Sequence, residues 1–115
     1  MRRRKVYIAA PYSNGDKLNE AHVNANVKVA LSTAAQLINM GFDAFAPHTS
    51  HYVAKELRTI SYERWMEWCI NLLDDFDCVL RLKGASKGAD AECLYAVNRC
   101  IPVYTSVKEL VEKES

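Results

Sequence analysis

Val6-Tyr7-Ile8-Ala9-Ala10 is an unbroken apolar run closed by Pro11. A strand that is apolar at every position leaves no face for water, so it belongs in the middle of a sheet covered on both sides. Sheets of that kind are parallel, and their chains alternate strand with helix.

The rest of the chain follows that alternation. Val23, Val27, Ala30, Leu31, Ala34, Leu37 and Ile38 recur at three- and four-residue steps, which predicts a long amphipathic helix stopped at Gly41. Phe42 to Ala46 reads as a second strand, closed by Pro47-His48. Trp65, Cys69, Leu72, Leu73 and Phe76 keep helical spacing, with Glu63, Glu67, Asn71 and Asp74 on a separate stripe. Cys78 to Leu82 reads as a third strand, and Arg81 implies that one of its faces is only partly covered. Ala89, Ala91, Leu94, Tyr95 and Val97 outline a third helix, Ile101 to Tyr104 a last strand, and Ser106 onward a last helix. The expected architecture is α/β: one small doubly wound domain over residues 1–115, flavodoxin-like or Rossmann-like. Four to five mostly parallel strands carry helices on both faces.

Fifteen basic residues against fourteen acidic ones give a net charge of +1 over 115 residues, so no global field exists to hold a polyanion. A nucleic acid polymer is therefore not an expected partner. The run Arg2-Arg3-Arg4-Lys5 reads as solvated, because too few apolar residues follow it for a signal-peptide core, and no stretch reaches membrane-spanning length. No membrane partner is expected either. Cys69, Cys78, Cys93 and Cys100 match neither a CxxC redox motif nor paired zinc ligands, which predicts free thiols in the reducing cytoplasm. Cys78 and Cys93 fall in segments that read as core.

Ligands of parallel sheets bind beyond the carboxyl ends of the strands. That rule selects residues 9–14, 47–51 and 84–92, which are expected to converge. Gly84-Ala85-Ser86-Lys87-Gly88 leads into a helix whose free N–H groups favour an anion, to which Ser86 adds a hydroxyl and Lys87 a charge. Ser86 is equally well placed as a plain N-cap, and Glu92 as a surface carboxylate near a helix start; spacing alone favours those two roles. A histidine such as His48 after a strand end serves as base, substrate contact or hydrogen-bonded structural group, and spacing does not choose. His48 and His51 have no carboxylate or cysteine nearby to complete a metal set, so neither a metal nor another cofactor is expected. Trp65 and Trp68 read as core and rim packing.

Tyr7-Ile8-Ala9-Ala10-Pro11-Tyr12-Ser13, Ala46-Pro47-His48, Asp77 and Gly84-x-Ser86-x-Gly88-x-x-x-Glu92, in this order and spacing, resemble the nucleoside 2-deoxyribosyltransferase superfamily. The likeness spans nearly the whole chain and is similar to small bacterial and phage members and to 2′-deoxynucleoside 5′-phosphate N-hydrolases. It implies that Glu92 attacks the anomeric carbon of a nucleoside, releases the base and leaves a glycosyl ester for water or a second base. It also implies a small-molecule nucleoside or nucleotide lying against Tyr7, Ala10, Pro11, Tyr12 and His48, with Tyr12 placed to stack on the base. Transferases of the superfamily often carry an aspartate where Ser86 stands, whereas the N-hydrolases carry a serine that holds the 5′-phosphate. With Lys87 and Gly88 beside it, Ser86 favours a monophosphate ligand and water as acceptor.

The superfamily's second carboxylate falls at Cys69. A thiol with an ordinary pKa of about 8.5 stays mostly neutral at pH 7 and supplies no negative charge. Two functions from different classes therefore stand: a slow N-glycosidase, or a catalytically silent nucleotide-binding module. A receiver-like signalling domain is disfavoured, because Ala9-Ala10-Pro11-Tyr12 lacks the acidic residues such a domain carries after its first strand. Relatives complete their sites from a neighbouring subunit, which implies a homo-oligomer, and the aromatic segment from Tyr62 to Trp68 suits its interface.

Overall fold

The computed structural model describes residues 4–12, 20–49 and 60–115; Arg2, Arg3, Ser13 and His51, named above, lie outside the described residues. In chain order the elements are β1 (Lys5–Ala9), α1 (Glu20–Asn39), β2 (Asp43–Phe45), α2 (Tyr62–Leu73), β3 (Cys78–Arg81), α3 (Lys87–Asn98), β4 (Val103–Tyr104) and α4 (Val107–Glu114). These four strands form one sheet in the order β2-β1-β3-β4, and every pairing is parallel. The expected doubly wound α/β fold is what the chain adopts.

β1 is central, and Val6, Tyr7, Ile8 and Ala9 are all fully buried. Its alternate side chains serve two different layers. Val6 and Ile8 pack with Ala30, Ala34 and Leu37 of α1 and Leu110 of α4, whereas Tyr7 and Ala9 pack with Cys69 and Leu73 of α2 and Ala89 and Ala96 of α3. Fully burying a side chain such as Leu37 or Leu110 contributes about 2 kcal/mol, so each layer is held by a handful of such contacts.

Local chemistry sets the helix ends. α1 stops where Gly41 takes φ +98°, with Phe42 N–H returning to the Leu37 carbonyl and Gly41 N–H to that of Ile38. This is a Schellman cap, closed by the burial of Phe42 and Leu37 in one cluster. Ser61, Ser86 and Ser106 cap α2, α3 and α4 by accepting from Arg64, Ala89 and Glu109 N–H. β4 begins after Pro102, whose carbonyl still accepts from Val79 N–H although the proline has no donor of its own.

Two packing expectations need correction, on α1 and on α3. On α1, Ile38 is exposed and Leu31 only half-buried, so the inner stripe is narrower than the periodicity implied. On α3, of the residues that outlined the helix, Ala89 is buried and Tyr95 half-buried but Ala91, Leu94 and Val97 are exposed, and the buried residues are Ala89, Glu92 and Ala96. Ala89, Glu92 and Ala96, at three- and four-residue steps, share one face of the helix, so the face that packs on the sheet carries Glu92 inward. Among the cysteines, Cys69 and Cys78 are buried, Cys93 is half-buried and Cys100 is exposed; all four are free thiols.

Among the described residues, no helix is long and apolar enough to cross a membrane.

Candidate active site

In the strand order β2-β1-β3-β4, the chain reverses direction across the sheet between β1 and β3, and such a switch point opens a crevice at the carboxyl ends of the strands. The three strand-end segments meet there. His48, in the turn after β2, places Nε2 2.9 Å from the Pro11 carbonyl after β1, and its N–H donates to that oxygen. A Cβ built on Gly84, after β3, would stand 2.6 Å from Cγ of Pro11, so this glycine is in direct contact with the first loop. Asn26 of α1 donates to the Tyr12 carbonyl at 2.9 Å and fixes the same loop from the other side.

On the α2/α3 side of the sheet lies the Glu92 carboxylate. It is only 7 % exposed, and the Tyr7 hydroxyl donates a hydrogen bond to its Oε2. Burial drives the Glu92 pKa up to about 7; the Tyr7 hydrogen bond and then the Arg81 charge work against that rise. The phenol of Tyr7 is itself driven upward, first by burial and then by the Glu92 charge, so it stays a donor. Tyr7 is braced by Phe76, edge-on at 5.4 Å between ring centroids, and by Phe45 at 6.2 Å.

Cys69 packs in the same layer at 1 % exposure. Its thiol is pushed up to about 12, by burial first and by the Glu92 charge second, and only the Tyr7 hydrogen bond opposes this. It is neutral at any physiological pH. Tyr7, Cys69 and Glu92 thus form one buried group with a single titratable acid near neutrality, the kind of perturbed carboxyl that marks functional sites.

The other sequence candidates are spread around this group. Pro11 and His48 are buried at the crevice, and Tyr12 sits half in solvent with its ring 6.0 Å from that of His48. Ala10 belongs to the opposite layer with Val6 and Ile8, so what it can offer a ligand is backbone. Ser86 caps α3 with its hydroxyl oxygen, while Lys87 is exposed and Gly88 half-buried in the first turn. Trp65 and Trp68, at 5.2 Å between centroids, line a separate groove of about 350 Å³ with Ile60 and Arg64. Among the described residues no three His, Cys, Asp or Glu side chains are grouped as metal ligands.

Sequence reading missed the role of Arg81. Its guanidinium donates to the carbonyls of Leu82 and Gly84 and to Asp90 Oδ1, the last two at 2.9 Å. A lone cation ending an apolar strand just before a glycine turn was the available signal.

No curated protein and no solved structure gives a significant match to this chain. Residues 4–105 match the family model described as "Domain of unknown function (DUF1937)", a span running from the start of β1 through β4 and including Tyr7, Cys69, Arg81 and Glu92. The chain belongs to the DUF1937 family.

Proposed function

We propose that this protein cleaves the N-glycosidic bond of a nucleoside or its 5′-monophosphate, with Glu92 as the nucleophile. The observation that carries this reading is the inward carboxylate of Glu92, buried on α3 against the Tyr7 hydroxyl in a helix whose apolar residues at 91, 94 and 97 face outward. A sequence that turns a carboxylate in and aliphatic side chains out breaks the folding pattern, and such breaks are expected at functional sites.

In the proposed reaction a carboxylate oxygen of Glu92 bonds to C1′ as the C1′–N bond breaks, and that bond's electron pair leaves with the base, which takes up a proton. Water then hydrolyses the glycosyl ester and restores the carboxylate. Pro11, Tyr12 and His48 border the crevice for sugar and base, and Ser86, Lys87 and Gly88 at the α3 N-terminus face the 5′-phosphate. The cytoplasm supplies both nucleotides and the reducing conditions that suit four free thiols. A second copy of the chain would cover the aromatic groove at Trp65 and Trp68.

Incubation with a panel of nucleosides and 5′-monophosphates, followed by chromatography for liberated base, tests the reading. Base release that disappears in Glu92→Gln supports it; release that survives in that variant refutes it.

Cys69 favours a second reading. A buried thiol held neutral cannot share the acid–base work that a carboxylate there would do, so a nucleotide-binding module without turnover also fits this geometry. Saturable nucleotide binding without product over long incubation is its signature.

A further inference from the structure

Arg81 stands one strand away from the Tyr7–Glu92 pair, on the same side of the sheet. In the β1/β3 register Tyr7 is opposite Val79 and Ala9 opposite Arg81, so Arg81 follows Val79 on the α2/α3 face. Its side chain is only 16 % exposed and is clamped along its length. Nη1 donates to the Leu82 carbonyl, while Nη2 donates to the Gly84 carbonyl and to Asp90, itself two residues before Glu92 on α3. Those carbonyls belong to the loop that touches Pro11 through Gly84. One guanidinium therefore ties the β3–α3 loop to the helix that carries the carboxylate.

Three side chains on neighbouring elements bear on the Glu92 charge: Tyr7 from β1, Cys69 from α2 and Arg81 from β3. β4 offers only Val103 on this face. On α3 itself Asp90 is 71 % exposed at its side chain, and Cys93 is a thiol raised to about 11 by burial. Tyr7 and Cys69 are neutral, so Arg81 is the fixed positive charge among these groups.

We infer that Arg81 is a positioning residue of this site: clamped by the Leu82 and Gly84 carbonyls and by Asp90, it ties the β3–α3 loop to the helix that carries Glu92 and holds a positive charge on the face of the sheet where that carboxylate is buried. The inference rests on the reading of Glu92 as nucleophile, which needs an ionised carboxylate in a buried place.

The test is carboxyl-carbon NMR of the full chain, with the Glu92 resonance assigned by its loss in Glu92→Gln and titrated from pH 4 to pH 9. In Arg81→Gln the Glu92 midpoint moves up by about one pH unit, the effect of removing one positive charge at near range in a medium of intermediate dielectric. In Arg81→Lys, which keeps the charge but not the planar fork, the midpoint moves up less than half as far. An unmoved midpoint in folded Arg81→Gln overturns the inference. Should that variant fail to fold, Arg81→Lys decides alone: a midpoint raised above the parent's upholds the inference and an unmoved one overturns it. The base-release assay is run on the same samples. A midpoint that shifts as expected in a protein releasing no base leaves Arg81 in its role and removes the glycosidase reading.

Discussion

The Tyr7 hydroxyl on β1 and the Glu92 carboxylate on α3, 85 positions apart in the chain, meet in a buried hydrogen bond. A donor aimed at a carboxylate favours its ionised form, so this bond holds the Glu92 pKa below where burial alone would put it. Tyr7→Phe removes the donor with little change in shape. Glu92 then titrates above pH 7, and the fraction ready to attack at neutrality falls. We expect kcat/KM for base release to drop roughly fivefold at pH 7 and to recover near pH 9, as a one-unit upward shift dictates. A pH–rate profile checks this.

The same carboxylate costs the fold stability in a defined window. Its pKa is raised from the ordinary 4.5 to about 7, so the folded state holds the proton more tightly than the unfolded chain does. The resulting stabilisation is fully present below pH 4.5, declines as pH rises and is lost above about 7. Its size is on the order of 3 kcal/mol, at 1.36 kcal/mol per unit. Glu92→Gln stays neutral throughout. It is expected to gain stability over the parent at pH 8 and to show little difference at pH 4.5, as read by denaturant titration at the two pH values. A variant uniformly less stable than the parent would contradict the buried-carboxylate picture.

Cys69→Asp places a second carboxyl beside the first. Two acids in one dry site cannot both ionise easily, so one keeps its proton and becomes a donor for the departing base. If the protein is a slowed glycosidase, base release rises on the order of 10²-fold or more, and its pH dependence becomes bell-shaped. If it is a binding module, turnover stays absent while the variant simply loses stability. Chromatography alongside thermal denaturation separates the two outcomes.

How legible this site was in the chain can be judged residue by residue. β1 announced itself because it is covered on both faces, yet that coverage erased the alternation that would have shown Tyr7 and Ile8 pointing to opposite layers. The strand was therefore readable, and the contact between Tyr7 and Glu92 was not. On α3 the apolar residues Ala89, Ala91, Leu94, Tyr95 and Val97 marked the helix without marking its inner face, and the helix turns Ala89, Glu92 and Ala96 inward. Periodicity counts apolar side chains and is blind to how near a helix must approach its sheet. Cys69 was read for the charge it lacks, and Cys78 and Cys93 for packing, although Cys69 is as deeply packed as Cys78. The convergence at Pro11, His48 and Gly84 followed from topology alone, because parallel strands deliver their ends to one edge.

Cys100 is a non-glycine residue with a φ of +61°, and it occupies the cap position after α3 where Ile101 N–H returns to the Ala96 carbonyl. A side chain in the left-handed region costs about 1 kcal/mol that glycine avoids. Cys100→Gly should therefore stabilise the protein by a few tenths to 1 kcal/mol and leave the Glu92 titration untouched. Denaturant midpoints with an unchanged slope would show it; a loss of stability would mean that the thiol makes a contact worth more than the strain.

Gly84 and Gly41 offer a matched pair for testing the crevice itself. Both take positive φ, +120° and +98°, so alanine strains the backbone at either. Only Gly84 is also crowded: its new Cβ would meet the stiff Pro11 ring at 2.6 Å, whereas nothing lies within 4 Å of the one on Gly41. Gly41→Ala is thus a control for strain alone, costing about 1 kcal/mol at the end of α1 and sparing the site. Gly84→Ala must push the β3–α3 loop away from Pro11, and since the Gly84 carbonyl also accepts from Arg81, that shift loosens the clamp above Glu92. We expect Gly84→Ala to raise KM for the nucleotide and to lift the Glu92 titration midpoint, while Gly41→Ala lowers the melting temperature and does neither. Equal effects on binding from the two substitutions would mean that the contact between the first and third strand-end loops has no part in forming the site.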